Sequence, residues 1–208
     1  MNDLEYIRIF WDKLWSQDEI KAPWANRDIP NELTQHLEKP LQNEVKNSVD
    51  IGCGLGEIAL WVEKMGYNSY GFDISPSAII KALDNLPSDS KVNFFVHDVT
   101  SQPLQQKFDC LIDRGCFHCI PQNLQKNYAE NIAGSSTPTA VYFLFIKAFR
   151  GDLKMTPNDK SKYWISHIRN TFGQHFTLSK VSVCDLSPRG KEKTLPGLFF
   201  KLTRTHKY

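Results

Sequence analysis

The sequence predicts an α/β domain on a mostly parallel sheet, and three observations carry that expectation. Short apolar runs alternate with amphipathic stretches from about residue 45 onward; a glycine-rich turn, Asp50-Ile51-Gly52-Cys53-Gly54-Leu55-Gly56, follows the first run; and the last two runs have no helical pattern between them. A helix between two strands returns the chain to the starting edge, so such strands lie parallel. Two strands joined without one pair antiparallel.

Leu4, Ile7, Phe10, Trp11, Leu14 and Trp15 recur at three- and four-residue intervals, the stripe of an amphipathic helix over about the first fifteen residues. Ala22-Pro23-Trp24 and Asp28-Ile29-Pro30 break it. A second short helix begins near Asn31, a good cap, carries Leu33 and Leu37 inward and ends by Pro40. Residues 1–44 therefore read as a helical extension before an α/β core at 45–208, the two forming one domain.

Within the core, Val45 to Ile51 is the first strand, followed by a helix with Ile58, Trp61, Val62 and Met65 inward and Gly66 past its end. Asn68 to Phe72 is the second strand. Ser75 and Pro76 then cap and open a helix expected to bury Ile79, Ile80, Leu83 and Leu86. Lys91 to Val96 is the third strand, and Phe108 to Asp113 the fourth, nearly continuous in apolar residues as a strand covered on both faces should be. Leu124, Tyr128 and Ile132 space a further helix, and Ala140 to Phe149 is the fifth strand. Thr156-Pro157 opens a helix with Trp164, Ile165, Ile168 and Phe172 that stops near Gly173. Phe176 to Val183 and Gly197 to Thr203, linked by the polar loop Ser187 to Leu195, complete seven strands.

Charge narrows the function. With 25 basic and 23 acidic residues the chain has a net charge of +2, which advertises neither nucleic acid nor an anionic membrane as partner and leaves a small molecule as the expected ligand. No signal-like start and no long apolar span is seen, and five cysteines form an odd set that suits free thiols, so the cytoplasm is the expected location. A monomer or weak homodimer is expected.

The glycine turn between strand and helix, with Asp73 ending the second strand, suits a nucleoside-bearing small molecule whose ribose hydroxyls donate to that acid. A dinucleotide site prefers Gly-x-Gly-x-x-Gly; the spacing here is one residue shorter. Asp98 ends the third strand, where open sheets bind ligands, and His97 alternates to the opposite face as a structural or exposed residue. Asp113 and Arg114 end the fourth strand over the centre of the site. Arg114 suits a carboxylate of the bound nucleoside-bearing molecule or an anionic acceptor, and His118 is placed to take a proton from a neutral acceptor, with Asp113 as a second candidate base. Cys116 and Cys119 have no second pair to complete a zinc site and no thioredoxin-like context, so no metal is expected.

Asp50 to Gly56 and Gly71-Phe72-Asp73-Ile74-Ser75 resemble the first and second motifs of class I S-adenosylmethionine-dependent methyltransferases, over about residues 45 to 205. The resemblance implies a Rossmann-like seven-stranded sheet with a C-terminal antiparallel pair, and S-adenosylmethionine as cofactor. It implies that the backbone at Gly52, Cys53, Gly54 and Gly56, beside Asp50, receives the methionine moiety, that Asp73 and Ile74 meet the ribose, and that Asp98 and the Val99 amide meet the adenine. Phe10-Trp11-Asp12-Lys13-Leu14-Trp15, Pro23-Trp24 and Asp113 to Pro121 are similar to the thiopurine, thiol, halide and tellurite methyltransferases, departing at Ala25-Asn26-Arg27. This narrower likeness implies that Trp15 and Arg114 contact the cofactor, that Trp11, Trp15 and Trp24 form a lid, and that the acceptor is a small soft nucleophile. A non-catalytic cofactor-binding regulator and a methyltransferase of protein or nucleic acid stay open as alternatives.

Overall fold

The computed structural model describes residues 3–17, 28–37, 46–148, 156–187 and 195–205. The chain runs α1 (Asp3–Trp15), α2 (Asn31–Leu37), β1 (Asn47–Ile51), α3 (Glu57–Lys64), β2 (Asn68–Asp73), α4 (Pro76–Asp84) and β3 (Asn93–Val96). It continues through β4 (Phe108–Arg114), α5 (Gln125–Gly134), β5 (Ser136–Ile146), α6 (Pro157–Phe172), β6 (Phe176–Asp185) and β7 (Pro196–Arg204). The sheet order is β3-β2-β1-β4-β5-β7-β6, with β1 to β5 parallel and β7 antiparallel to both β5 and β6. Strand order reverses between β1 and β4, so the crevice at their carboxyl ends is where this topology binds ligands.

Alternation along the central strands builds two cores. Val49, Ile51, Leu111, Tyr142, Leu144 and Ile146 face α5 and α6, meeting Tyr128, Ile132, Ile168 and Phe172. Their neighbours Cys110, Ile112, Phe143 and Phe145 face α2 and α3, meeting Leu33, Leu37, Ile58 and Val62. Both faces being covered, the strands read as unbroken apolar runs. The first helix lies outside this sandwich, against α4.

Several expected boundaries shift. The fifth strand opens at Ser136, earlier than Ala140, because Ser136 pairs with Phe108 ahead of a register irregularity. Val45, Pro23-Trp24, Ala25-Asn26-Arg27, Pro40 and Phe149 lie outside the described residues. In α4 the buried face is Ala78, Ile79 and Ala82, whereas Ile80 and Leu83 are 59% and 47% exposed. The correction has a geometric cause: Ser75 and Pro76 start the helix as expected, but α4 packs on β2, β3 and α1 through its small residues.

Candidate active site

A cavity of about 740 Å³ opens over the carboxyl ends of β1 to β4, lined by the glycine turn, Asp50, Asp73, Asp98, Arg114 and His118, and walled by α1 through Leu4, Ile7, Phe10, Trp11 and Trp15. That volume is at the upper part of the range for sites enclosing one drug-sized ligand.

The glycine turn is shaped by close approach as well as dihedral angle. Gly52 (φ +66°) and Gly54 (φ +53°) are in the left-handed region. A Cβ on Gly54 would stand 2.9 Å from the Trp15 ring, and one on Gly52 would stand 2.8 Å from the Cys116 Cβ. Trp15 is thus an indole laid on the turn, which explains its burial on a helix that is otherwise largely exposed.

Asp73 braces the same turn: its Oδ2 accepts from the Gly54 amide at 3.1 Å and its Oδ1 from Ser75 at 3.0 Å. Each oxygen accepts one of these bonds, and Asp73 lines the cavity together with Ile74. The third strand ends in a similar way. Asp98 Oδ1 accepts from the Thr100 amide and hydroxyl at 2.9 and 2.7 Å, while Oδ2 has no hydrogen-bond partner among the described residues. Val99 lies beside it in the cavity wall, its carbonyl accepting from Asn131. His97 is half-buried at the cavity edge, edge-on to Phe72 and bonded to the Gln102 carbonyl at 3.0 Å. It packs as a structural residue, but the expectation that it faces away from Asp98 is corrected, because both line the cavity where the chain leaves the strand after Val96.

Asp113 is corrected. Being next to Arg114 in a strand sends it to the opposite face, against α5, where it is fully buried and does not line the cavity. Its Oδ1 accepts from the Gly115 and Cys116 amides at 2.9 and 2.7 Å; its Oδ2 accepts from the Phe117 amide at 2.9 Å and the Tyr128 hydroxyl at 2.5 Å. A carboxylate so engaged and walled off is no base for an acceptor. It fixes the turn that carries His118, which sits in the short 3-10 segment Phe117–Cys119 and lines the cavity.

Two residues with no assigned role in the sequence reading belong to the site. Asp12 Oδ1 accepts from the Ser75 hydroxyl at 2.8 Å and the Ser77 amide at 2.9 Å, so α1 is latched to the N-terminus of α4. The Asp-x-x-Trp spacing of Asp12 and Trp15 on one helical face was the available signal. Lys147, just past β5, also lines the cavity. Asp12→Ala is expected to loosen α1 and weaken binding of a ligand in the turn about tenfold, with faster proteolysis of the N-terminal segment as the check.

Three buried acids, Asp50 and Asp73 in the cavity wall and Asp113 behind it, keep their protons to higher pH than usual. Burial, then repulsion from Asp113, raises Asp50 to about 8; burial raises Asp73 to about 6 and Asp113 to about 6 against their hydrogen bonds. A carboxyl whose folded pKa is raised stabilises the fold below the unfolded value of 3.8, and that contribution is lost as pH climbs to the folded value. Between about pH 6 and 8 the loss comes from Asp50. The ligand-free protein should therefore lose stability across that window, by up to about 1.4 kcal/mol per pH unit, seen as a falling melting temperature, and Asp50→Asn should flatten the slope. A cationic ligand beside Asp50 should release its proton.

This constellation fits S-adenosylmethionine. Glycines that no side chain can replace give the backbone close approach, Asp73 and Asp98 offer acceptors along one wall, and Asp50 favours a positive charge next to the turn. Among the described residues no group of three or more His, Cys, Asp or Glu is placed to hold a metal ion, and no helix is long and apolar enough to cross a membrane.

Comparison with known proteins agrees. The family described as "Methyltransferase domain" matches residues 49–138. An uncharacterized methyltransferase of Schizosaccharomyces pombe is 33% identical over 128 residues, 60% of this chain and 83% of the relative. The 2-heptyl-1-hydroxyquinolin-4(1H)-one methyltransferase of Mycobacteroides abscessus is 26% identical over 82% of this chain and 75% of its own. Among solved structures, the magnesium protoporphyrin IX methyltransferase of Synechocystis PCC 6803 with bound S-adenosylmethionine superposes with a TM-score of 0.68 at 16% identity, covering 99% of this chain and 98% of that one. The glycine turn, the acids at the strand ends and the antiparallel finish thus have a common explanation: the chain belongs to the class I S-adenosylmethionine-dependent methyltransferases.

Proposed function

We propose that the protein methylates a heteroatom of a small, flat, largely apolar molecule: a thiol, as in the thiol and tellurite group it resembles, or an acidic hydroxyl. The supporting observation is the division of the cavity. Its acids stand along the ends of β1 to β3, while Leu4, Ile7 and Phe10 of α1 and Ile120, Leu124, Leu186 and Leu195 offer apolar surface for a second ligand. The mycobacterial relative, named for a quinolinone substrate, supports the same class of acceptor. Near-balanced charge supports an acceptor free in solution, with no nucleic acid or membrane involved, and we take the protein to act in the cytoplasm as a monomer or weak homodimer.

Bound in the glycine turn, S-adenosylmethionine supplies an electrophilic methyl group. The cofactor-side roles fall to Trp15, Asp50, the backbone of Gly52 to Gly56, Asp73, Ile74, Asp98, Val99 and Arg114. The chain's own work is alignment and exclusion of water: the turn and Asp73 fix one reactant, and α1 closes over the other. His118 takes the proton of a neutral acceptor, whereas a thiolate needs little help. Incubation with labelled cofactor and a panel of thiols, halides, tellurite, aromatic hydroxyls and amines should label flat apolar thiols or hydroxyls first. His118→Ala should slow neutral acceptors more than thiolates. Labelling confined to protein or nucleic acid would overturn the proposal.

A further inference from the structure

The charges lining the cavity are sorted from one side to the other. Asp50, Asp73 and Asp98 line the ends of β1, β2 and β3, and the Arg114 guanidinium lies close enough to Asp50 to favour its ionised form. Lys147 stands on the far side. It follows the last residue of β5, is half-buried, and lines the cavity with Leu186 and Leu195, which flank the β6–β7 pair. The Lys147 amide lies 3.5 Å from His118 Nδ1, so the end of β5 and the turn after β4 meet at this point.

The Lys147 ammonium has no hydrogen bond or ion pair among the described residues. A half-buried cation beside apolar side chains has lost part of its hydration, and no described residue compensates for it. A compact ammonium on a four-carbon stem also reaches and adjusts to a ligand anion more readily than a rigid guanidinium. The acids on the opposite wall are set to receive a cationic ligand, so Lys147, the one lysine lining the cavity among the described residues, is set to receive the opposite charge.

We infer that Lys147 makes the enzyme selective for acceptors that carry a negative charge, pairing its ammonium with an ionised hydroxyl, thiol or carboxyl on an apolar ring system seated between α1 and the β6–β7 end. Lys147 is a specificity-determining residue of the acceptor subsite. This inference rests on the small-molecule reading above and adds the charge of the acceptor to it.

Binding of naphthalene-2-carboxylate and of its neutral counterpart naphthalene-2-carboxamide, measured calorimetrically on the full chain loaded with S-adenosylhomocysteine, tests it without turnover. The wild type should bind the carboxylate at least about tenfold more tightly than the amide. Lys147→Met should bring the ratio near one, Lys147→Arg should keep most of it, and all three proteins should bind S-adenosylhomocysteine equally. Equal affinity of the wild type for the two probes, binding of neither, or a preference that survives in Lys147→Met overturns the inference. Failure of the methyltransfer proposal would register elsewhere, as an unlabelled panel of small acceptors.

Discussion

Replacing Asp73 by alanine is expected to weaken S-adenosylmethionine binding by about 3 kcal/mol, more than a hundredfold in Kd. One part of that loss is the acceptor for ribose hydroxyls. The other is internal: the Gly54 and Ser75 amides, both held by this carboxylate, lose their partner, and the turn loses the shape that lets a ligand approach its backbone. Asp73→Asn keeps one carboxamide oxygen and should fall between wild type and alanine. Titration calorimetry decides the matter, and an affinity unchanged in Asp73→Ala would remove the ribose role.

Asp113→Ala should act on stability instead. Four donors converge on this buried carboxylate, and alanine leaves three amides and a tyrosine hydroxyl without it in a site closed to water. The expected cost is about 4 kcal/mol, on the order of 10 °C in melting temperature for a chain of this size. Tyr128 and Tyr142, whose hydroxyls lie 3.0 Å apart, belong to the same cluster, so Tyr128→Phe should cost less, about 1 kcal/mol. Thermal unfolding with cofactor present and absent separates this from a binding effect: Asp113→Ala should lower both transitions. A melting temperature within a degree or two of wild type would show that the turn holds without its acid.

The contrast between these two acids shows what the sequence makes legible. Alternating strand and helix patterns, with Ser75-Pro76 and Thr156-Pro157 as helix starts, are local signals, and the helices begin there with the cap bonds expected. The glycine turn and Asp73 are near neighbours in the chain and therefore readable together. Asp113 and Arg114 are adjacent as well, yet strand alternation gives one to α5 and the other to the cavity, and only the pairing of β4 with β1 and β5 reveals which. Asp12 and Lys147 were missed for a related reason. Asp12 acts through Ser75 and Ser77, over sixty residues away, and Lys147 enters the site because β5 ends beside the turn after β4. Ile80 and Leu83 misled in the opposite direction, since apolar spacing alone did not show that Ala78 and Ala82 make the close face of α4.

The seat of Trp15 on Gly54 bears on the timing of turnover. The helix that roofs the cavity is fastened to the parts proposed to hold the cofactor, by the Trp15 indole on the glycine turn and by Asp12 on Ser75 and Ser77, just past Asp73. If the cofactor sits as proposed, its departure would require that fastening to come undone first. The slowest event in a cycle would be the lifting of α1, with the methyl transfer itself already complete, and the two products would leave in a set order: methylated acceptor first, from the apolar mouth, and S-adenosylhomocysteine last.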